Sequence, residues 1–285
     1  MRALVPRKQR AGLKGSLVVV GTGIKSISHI TLEAASYIRD AQKLLYLTAD
    51  FLTDQWLAKE NRTAESIHRF YKDNKPREQT YIEMRDYMLS FVRKGLSTCT
   101  AFYGHPGVFA APGRMSIDQA RAEGYDAFML PGISAEDCLF ADLCLDPAQT
   151  GCQSFEATDF LLYKRKFDPR CALILWQVGV IGHFDYQGSG YDASRIGLLA
   201  DRLLRFYPAA HEVILYEAAT HVLFHPRIER LRLENLKRAH LTTITTLYVP
   251  SVGRGSAEAD MIAKLRVSRQ FIKKVRRNPS QRPTS

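Results

Sequence analysis

A single turn of the chain brings together residue types that can contact a small molecule. Residues 99–109 read CTAFYGHPGVF, where an apolar run is followed by a tyrosine, a histidine and two glycines. Open α/β sheets bind ligands at the carboxyl edge, where a strand ending in this turn would present those side chains. Pro106 and Gly107 would also suit a plain chain reversal. Taken alone, the turn leaves both interpretations open.

A glycine turn, Gly21-Thr22-Gly23, follows the apolar run at residues 17–20. Glycines in this position let backbone amides approach a phosphate, as they do in dinucleotide-binding proteins. The third glycine of that pattern would fall at position 26, where the chain has Ser26. The turn therefore disfavours a nucleotide-dependent dehydrogenase, and a structural tight turn explains it at least as well.

Glu217, His221 and His225 follow one another at intervals of four. On a helix they would share one face, as a carboxylate and two imidazoles must to bind one metal ion. Pro226 would end that helix at His225, and histidines beside apolar residues are more often partly buried or capping residues. Five cysteines without a Cys-x-x-Cys pair indicate neither a zinc knuckle nor a disulfide framework. We therefore predict that the protein binds no metal.

The composition indicates a folded enzyme. The 285 residues are 46% apolar and carry a formal net charge of +11, much of it in residues 2–14 and 266–282. Positive charge attracts nucleic acid, anionic surfaces and acidic peptides alike, so its sign does not choose a partner. The longest apolar run, residues 171–182, is too short to span a bilayer, and no secretory signal follows the basic amino terminus. We expect a cytoplasmic protein.

Apolar runs of strand length alternate with segments of helical periodicity, which is typical of a parallel sheet covered by helices. Strands are expected at residues 17–20, 44–47, 99–103, 127–130, 172–178, 212–216 and 242–249. Helices are expected near residues 30–41, 51–59, 81–93, 116–123, 139–143, 195–206, 226–239 and 256–277, the fifth of them capped by Ser134. Residues 182–191 are expected to form an exposed loop.

Six motifs give the sequence a specific resemblance. They occur over about residues 15–250 in the order VVVGTGI, FYGHPGVF, LPGISAED, FADLCLDP, ILWQVGVIG and TTLYVP. In this order and spacing they resemble the tetrapyrrole methylase superfamily and, more closely, the borosin peptide α-N-methyltransferases. Porphyrin-directed members usually have Gly-x-Gly-Pro-Gly in the first loop and Gly-Asp-Pro in the second, whereas this chain has GTGIK and GHPGV. The difference favours the peptide branch.

The resemblance implies the two-domain α/β fold of class III methyltransferases, with S-adenosylmethionine bound in the cleft between the domains. We place the domains at residues 1–131 and 132–251, and a basic helical extension at residues 252–285. Cofactor contacts are then expected from both domains, at Tyr103, His105, Val108, Phe109, Ser134, Ala135, Gln177, Ala218, Thr245 and Thr246. The YGHPG turn (residues 103–107) thereby becomes a wall of the cofactor site.

On the substrate side, the resemblance falls on a Tyr-Arg-Tyr trio, Tyr71, Arg77 and Tyr81. A peptide nitrogen shares its lone pair with the carbonyl group, so it cannot attack a methyl group before it loses its proton or its resonance. Arg77 would stabilise the negative charge that develops on the carbonyl oxygen, and either tyrosine would remove or relay the proton. Without the resemblance, this segment would pass for a polar connector.

The resemblance therefore implies a homodimer that methylates the α-nitrogens of a ribosomally made precursor peptide. Fungal borosin enzymes carry that peptide on their own carboxyl terminus, after a clasp region. Here the residues before Ser285 are basic and polar, without the Val, Ile and Gly-rich core of such peptides. We expect a split enzyme that acts on a separate precursor with its own leader, in a complex of two copies of each. Neither a membrane nor nucleic acid is an expected partner.

Two other functions stay open from the sequence. The chain could methylate a tetrapyrrole or corrin, although the Tyr-Arg-Tyr trio disfavours this. It could also be a catalytically silent member that binds peptide or nucleic acid through its positive charge. A porphyrin-induced absorbance shift would support the first function, and salt-sensitive binding without methyl transfer would support the second.

Overall fold

The computed structural model describes residues 15–163, 165–188, 190–253 and 255–268. Within them the chain forms two five-stranded sheets, one from residues 16–129 and the other from residues 152–249. Helices cover the sheets, so the expected α/β class is confirmed. The boundary predicted near residue 131 falls in the segment that joins the sheets, and the extents of the domains stay predictions.

The first sheet is parallel throughout, as the alternation of strands and helices predicts. Its strands are β1 (Ser16–Gly21), β2 (Lys43–Leu47), β3 (Glu65–Ser66), β4 (Ser97–Phe102) and β5 (Asp126–Met129), in the spatial order β3-β2-β4-β1-β5. The accompanying helices are α1 (Leu32–Asp40), α2 (Phe51–Glu60), α3 (Arg77–Arg93) and α4 (Ala111–Ala122). Among the five strands of this sheet, only the two-residue β3 has no counterpart among the predicted strands.

The central strand β1 is buried on both faces, as a strand inside a parallel sheet must be. Alternate side chains of residues 17–20 point to opposite faces. One set packs with Met84 and Met88 of α3, and the other packs with Ile38 of α1 and Leu57 of α2. The sheet therefore holds the carboxyl ends of its strands on a rigid support.

Polar side chains fix where several helices begin. Thr31 and Asp50 accept hydrogen bonds from the first turns of α1 and α2, at Ala34 N and Thr53 N. The predicted cap at Ser134 is confirmed: Ser134 and Asp137 form a reciprocal capping box at the start of α5 (Ala135–Asp142).

The second sheet is mixed, which corrects the expectation of parallel pairing throughout. Its strands are β6 (Cys152–Glu156), β7 (Ala172–Trp176), β8 (Glu212–Glu217), β9 (Arg227–Arg232) and β10 (Thr246–Val249), in the spatial order β6-β7-β10-β8-β9. Only β6 and β7 run parallel, and the other neighbours are antiparallel. Its helices include α6 (Ala157–Leu162) and α7 (Ile196–Leu203).

The helix predicted at residues 226–239 is wrong. This segment forms β9 and then a 3₁₀ helix, Leu233–Arg238. Arginine, glutamate and leucine favour helices in isolation, but β9 pairs with β8 over its full length. An ion pair between Arg230 Nη1 and Glu212 Oε1 at 2.8 Å adds a side-chain contact between the two strands. Pairing with the neighbouring strand outweighs the local preference.

Other differences lie at the ends of helices. α3 begins at Arg77 instead of Tyr81, and α4 begins at Ala111, with Pro112 in a first turn that needs no amide donor. Of the tail helix predicted at 256–277, the structure has α8 (Ala259–Lys264), and positions from 269 onward lie outside the described residues. In the described part of the chain, no helix combines the length and apolar character needed to cross a membrane.

Candidate active site

Glycine turns that follow three neighbouring strands meet at the carboxyl edge of the first sheet. They follow β4, β1 and β5 and contain Gly104, Gly21 and Gly132. Gly104 N donates a hydrogen bond to Gly23 O over 3.0 Å, and a Cβ atom at Gly21 would lie 2.3 Å from Gly104 O. Because no side chain fits between them, these backbones pack in direct contact and fix the YGHPG turn.

The turn after β1 is closed by its own side chains. Ile24 N and Lys25 N donate to His29 Nδ1 over 3.3 and 3.2 Å. Burial lowers the pKa of His29, and the charge of Lys25 lowers it further, so the neutral ring is available as an acceptor. Ser26 Oγ donates to Thr220 O over 3.0 Å. These N–H and O–H donors already form hydrogen bonds within the chain and therefore do not point to a phosphate site. This agrees with the missing third glycine of the dinucleotide pattern.

Beyond the YGHPG turn lies a cavity of about 340 Å³, which is within the range of small-molecule sites. Nine of the predicted site residues line it, namely Tyr71, Tyr81, Tyr103, His105, Val108, Phe109, Ser134, Ala135 and Gln177. A second cavity of about 350 Å³ is lined by Arg77 and Arg114 and shares Tyr81, Phe109 and Gln177 with the first. The structure thus brings the trio and most of the predicted cofactor residues to adjoining spaces.

The YGHPG turn presents both polar and apolar groups to the cavity. Gly107 N donates to His105 Nδ1 over 2.9 Å, so the imidazole braces the turn and keeps Nε2 as its second polar atom. Burial raises the pKa of Tyr103 to about 12. Val108 and Phe109, directly after the turn, are partly exposed. The cavity is therefore open to solvent on this side.

Two residues with left-handed backbone face the cavities. Phe109 has φ 52° and Gln177 has φ 59°, and both line both cavities. This conformation costs a residue with a side chain about 1–2 kcal/mol. The Phe109 ring lies 5.8 Å from the ring of Trp176, the residue before Gln177. Backbone strain of this kind concentrates at functional sites.

Three predicted cofactor residues do not line either cavity in the described part of the chain, namely Ala218, Thr245 and Thr246. Thr245 is buried, and its hydroxyl donates to Glu217 Oε1 over 2.5 Å. Its carbonyl accepts from Val178 N over 3.2 Å. Thr245 thus supports the turn that carries Gln177, and direct contact of the three residues with a cofactor stays a prediction.

The trio is assembled from two short segments. Arg77 and Tyr81 stand one helical turn apart at the start of α3 and share a face. A cation in the first turn of a helix interacts unfavourably with the helix dipole, so Arg77 at this position does not stabilise α3. Tyr71 directly follows a 3₁₀ helix, His68–Phe70, and its ring centroid lies 4.9 Å from that of Tyr186.

The charge environment of Tyr71 is set by its surroundings. Burial raises the pKa of its phenol far above the ordinary value, and the neighbouring Tyr81 raises it further. The positive charge of Arg77 lowers it. The phenol of Tyr71 is therefore protonated at neutral pH, and Arg77 is the group that favours its ionised form.

The cavity also contains residues that the sequence analysis did not select. Among them are His68, Thr48 and Trp176. His68 Nε2 lies 2.7 Å from Thr48 O, and its ring centroid lies 6.3 Å from that of Tyr71. The sequence signal that could have identified His68 was its position three residues before Tyr71, because that spacing places both side chains on one side of a 3₁₀ turn.

The segment from Glu217 to His225 is not helical, so the premise of the metal interpretation is wrong. Glu217 ends β8 and accepts hydrogen bonds from Arg227 and Thr242. The ring of His221 lies beside that of Phe224, with 5.5 Å between the centroids and an angle of 55° between the ring planes. Within the described residues these side chains do not gather into a cluster that could hold a metal ion.

Comparisons with known proteins agree with this geometry. A family described as Tetrapyrrole (Corrin/Porphyrin) Methylases matches residues 16–237. The solved uroporphyrin-III C-methyltransferase from Thermus thermophilus, complexed with S-adenosyl homocysteine, has a TM-score of 0.56 at 17% identity and covers 86% of this chain and 96% of its own. That likeness confirms the tetrapyrrole methylase fold.

Relatives in sequence are more similar. A methyltransferase/ribosomally synthesized cyclic peptide dendrothelin A precursor from Dendrothele bispora is 42% identical over 88% of this chain and 61% of the relative. A methyltransferase/ribosomally synthesized type I borosin cyclic peptide precursor from Coprinopsis marcescibilis is 39% identical over 94% of this chain and 68% of the relative. This chain thus spans about three fifths of the length of the first of them. It belongs to the tetrapyrrole methylases and, within them, to the borosin family.

Proposed function

We propose that this protein transfers methyl groups from S-adenosylmethionine to backbone amide nitrogens of a ribosomally made peptide. The observation that carries the proposal is the meeting of Tyr71, Arg77 and Tyr81 beside the YGHPG turn. The names of the curated relatives, which combine a methyltransferase with a cyclic peptide precursor, support the same reaction. They do not favour the tetrapyrrole alternative.

The chemistry of the first cavity, which lies beyond the YGHPG turn, fits S-adenosylmethionine. Phe109, Trp176 and Tyr103 supply flat apolar surfaces for an adenine ring, while Ser134 and Gln177 supply polar groups for hydroxyl and amino functions. The cofactor would supply a methyl group on a sulfonium centre. The solved structural neighbour that contains S-adenosyl homocysteine supports this assignment.

The trio would act on the peptide. The Arg77 guanidinium would stabilise the negative charge on the carbonyl oxygen as the amide loses its resonance, and the Tyr71–Tyr81 pair would take the amide proton. A phenol with a raised pKa is rarely ionised, but its phenolate is a correspondingly stronger base. Arg77 opposes part of the rise in the pKa of Tyr71 and would thereby favour the phenolate. The walls of the cavities would hold the nitrogen near the methyl group.

We further propose that the peptide reaches the site from a separate precursor and that the enzyme is a homodimer, with two copies of each chain. The partly exposed Val108 and Phe109 support entry from solvent. Exposed apolar side chains, such as Leu223 and Leu32, support a contact between copies. The cysteines of the described residues are free, which supports a location in the reducing cytoplasm.

The test uses the part of the Dendrothele bispora relative that lies outside the region matched by this chain, here called the precursor segment. It is added to the purified protein with S-adenosylmethionine, either as a separate chain or fused to the carboxyl terminus, and both are analysed by intact mass spectrometry. We expect successive gains of one methyl group in the precursor segment. Fragmentation that places the methyl groups on side chains, or no methyl transfer to the fused segment, would contradict the proposed reaction. Transfer to the fused segment alone would contradict only the action on a separate chain.

A further inference from the structure

A loop of the second half of the chain lies across the segment that carries the trio. The loop, here called the strap, comprises residues 183–188 and 190–191, and the segment, here called the connector, comprises residues 71–77. Tyr186 N donates to Lys75 O over 3.1 Å, and Asn74 N donates to Tyr186 O over 2.9 Å. Arg77 N donates to Phe184 O over 3.2 Å. The strap was expected to be an exposed loop, but it pairs with the connector much as a short strand would.

A side chain of the strap reaches the trio itself. Arg77 Nη2 donates to Tyr191 Oη over 2.9 Å, and the guanidinium carbon lies 5.5 Å from the centroid of the Tyr191 ring. The same oxygen accepts from Gln187 N over 3.0 Å and donates to Asp185 O over 3.2 Å. A phenol has one donor and two acceptor positions, and all three are used here. Tyr191 is therefore a fixed anchor and not a carrier of protons.

Tyr191 restrains the side chain of Arg77, which is long and has many rotamers when it is free. A free arginine loses about 2 kcal/mol of rotamer entropy when it is held in one conformation. Its guanidinium has five N–H donors, so one bond to Tyr191 leaves others for a carbonyl oxygen. Because Tyr191 is tied to the strap backbone at Asp185 and Gln187, it transfers the rigidity of that loop to Arg77.

We propose that Tyr191 is a positioning residue for methyl transfer, which holds the guanidinium of Arg77 where negative charge develops on the substrate carbonyl oxygen. This inference rests on the proposed function of Arg77. The strap follows the turn of Gln177 along the chain, so neighbouring segments line the cavities and orient the charge of the trio.

The experiment compares Tyr191→Phe with Tyr163→Phe, a matched change at an exposed tyrosine away from the cavities. Methylation of the fused precursor segment is measured with varied S-adenosylmethionine. Tyr191→Phe should lower kcat by about tenfold, because a misplaced charge loses transition-state stabilisation. The KM for S-adenosylmethionine and the Tm should change little, and Tyr163→Phe should behave as the unmodified protein. A Tyr191→Phe enzyme with unchanged kcat would overturn the inference.

A double variant separates this inference from the function on which it rests. If Tyr191 acts only through Arg77, Tyr191→Phe should have no further effect in an Arg77→Lys background. Long incubations with mass detection keep slow variants measurable. An equal loss in both backgrounds would show that Tyr191 acts on its own and would overturn the positioning role. Full activity in Arg77→Lys and Arg77→Ala alike would instead contradict the proposed function of Arg77.

Discussion

The YGHPG turn and the connector border the same cavity, but different forces hold them in place. The turn is packed backbone against backbone, between the glycine turns that follow β1 and β5. Before α3 begins at Arg77, the connector has no regular structure beyond its bridge to the strap. Backbone hydrogen bonds to the strap and the contact between Arg77 and Tyr191 orient it. One wall of the site is thus fixed by steric exclusion. The other is fixed by hydrogen bonds, of which a substitution can remove those made by side chains, such as the bond from Arg77 to Tyr191.

The most damaging change should be at the packed wall. A Cβ atom in Gly21→Ala would meet the carbonyl oxygen of Gly104 at 2.3 Å, so the glycine turns must separate. We expect a loss of about 3 kcal/mol in the free energy of unfolding, measured with denaturant, and weakened binding of S-adenosylmethionine in calorimetry. Gly197→Ala is the matched control, because its position in α7 has nothing within 4 Å, and it should be neutral or slightly stabilising. Equal stability of the two variants would contradict this account of the wall.

At the connector, the largest effect should be on the rate. Arg77→Ala should lower kcat for the fused precursor segment by about a hundredfold or more, as the loss of an oxyanion-stabilising group does elsewhere. The free energy of unfolding should change much less than in Gly21→Ala. Arg230→Ala, at an exposed ion pair of β9, serves as the control for loss of a positive charge. Weaker binding of S-adenosylmethionine with an unchanged kcat would indicate that Arg77 contacts the cofactor instead of the substrate, and would contradict its proposed role.

The strain at Gln177 gives a smaller and opposite effect on stability. Gln177→Gly removes the penalty of a left-handed backbone and should be more stable than Gln177→Ala by about 1 kcal/mol in denaturant unfolding. Both variants should methylate more slowly than the unmodified protein, because both lose the side chain that lines the two cavities. An alanine variant as stable as the glycine variant would show that the strain is not real.

The smallest expected effect is on stability at low pH, and it depends on Glu65 of β3, which precedes the connector. Burial alone would raise the pKa of Glu65, but hydrogen bonds from Lys43, Tyr87 and Arg69 lower it from 4.5 to about 2. A carboxylate with a lowered pKa stabilises the fold above its unfolded pKa and loses this contribution as the pH falls toward the folded value. Because Glu65 is partly exposed, screening reduces its contribution to about 1 kcal/mol.

Glu65→Gln should therefore flatten the fall in unfolding free energy between about pH 4.5 and pH 2. Lys43→Met should reproduce part of this change, because it removes the leading hydrogen bond to the carboxylate. Denaturant unfolding over this pH range measures both variants. Parallel pH curves for Glu65→Gln and the unmodified protein would contradict the assignment.

The contrast between the YGHPG turn and the connector also explains which features could be predicted from the sequence. The parallel sheet was predictable because its buried strands, such as residues 17–20, are continuous apolar runs. The YGHPG turn was visible because its chemistry lies within five consecutive residues. Tyr71, Arg77 and Tyr81 needed the resemblance, since a polar connector has no periodicity that marks a site.

What could not be predicted depends on pairing between distant segments. Arg77 and Tyr191 are 114 positions apart, and no local pattern joins them. The strand character of β9 likewise comes from its neighbour β8, against the helical preference of its own residues. In both cases the deciding partner lies elsewhere in the sequence.

The backbone packing at the YGHPG turn limits where the substrate range of the proposed methyltransferase could be engineered. A Cβ atom at position 21 or 132 would press on a neighbouring backbone, and position 104 has φ 72°, a conformation that residues with side chains rarely adopt. A mutational library at these three positions would therefore mostly yield misfolded protein. The strap and the connector are instead held together mainly by backbone hydrogen bonds, which persist when side chains are replaced. Diversity directed to residues 72–75 and 184–188 would vary the segments beside the trio while leaving the glycine turns at the first cavity as they are.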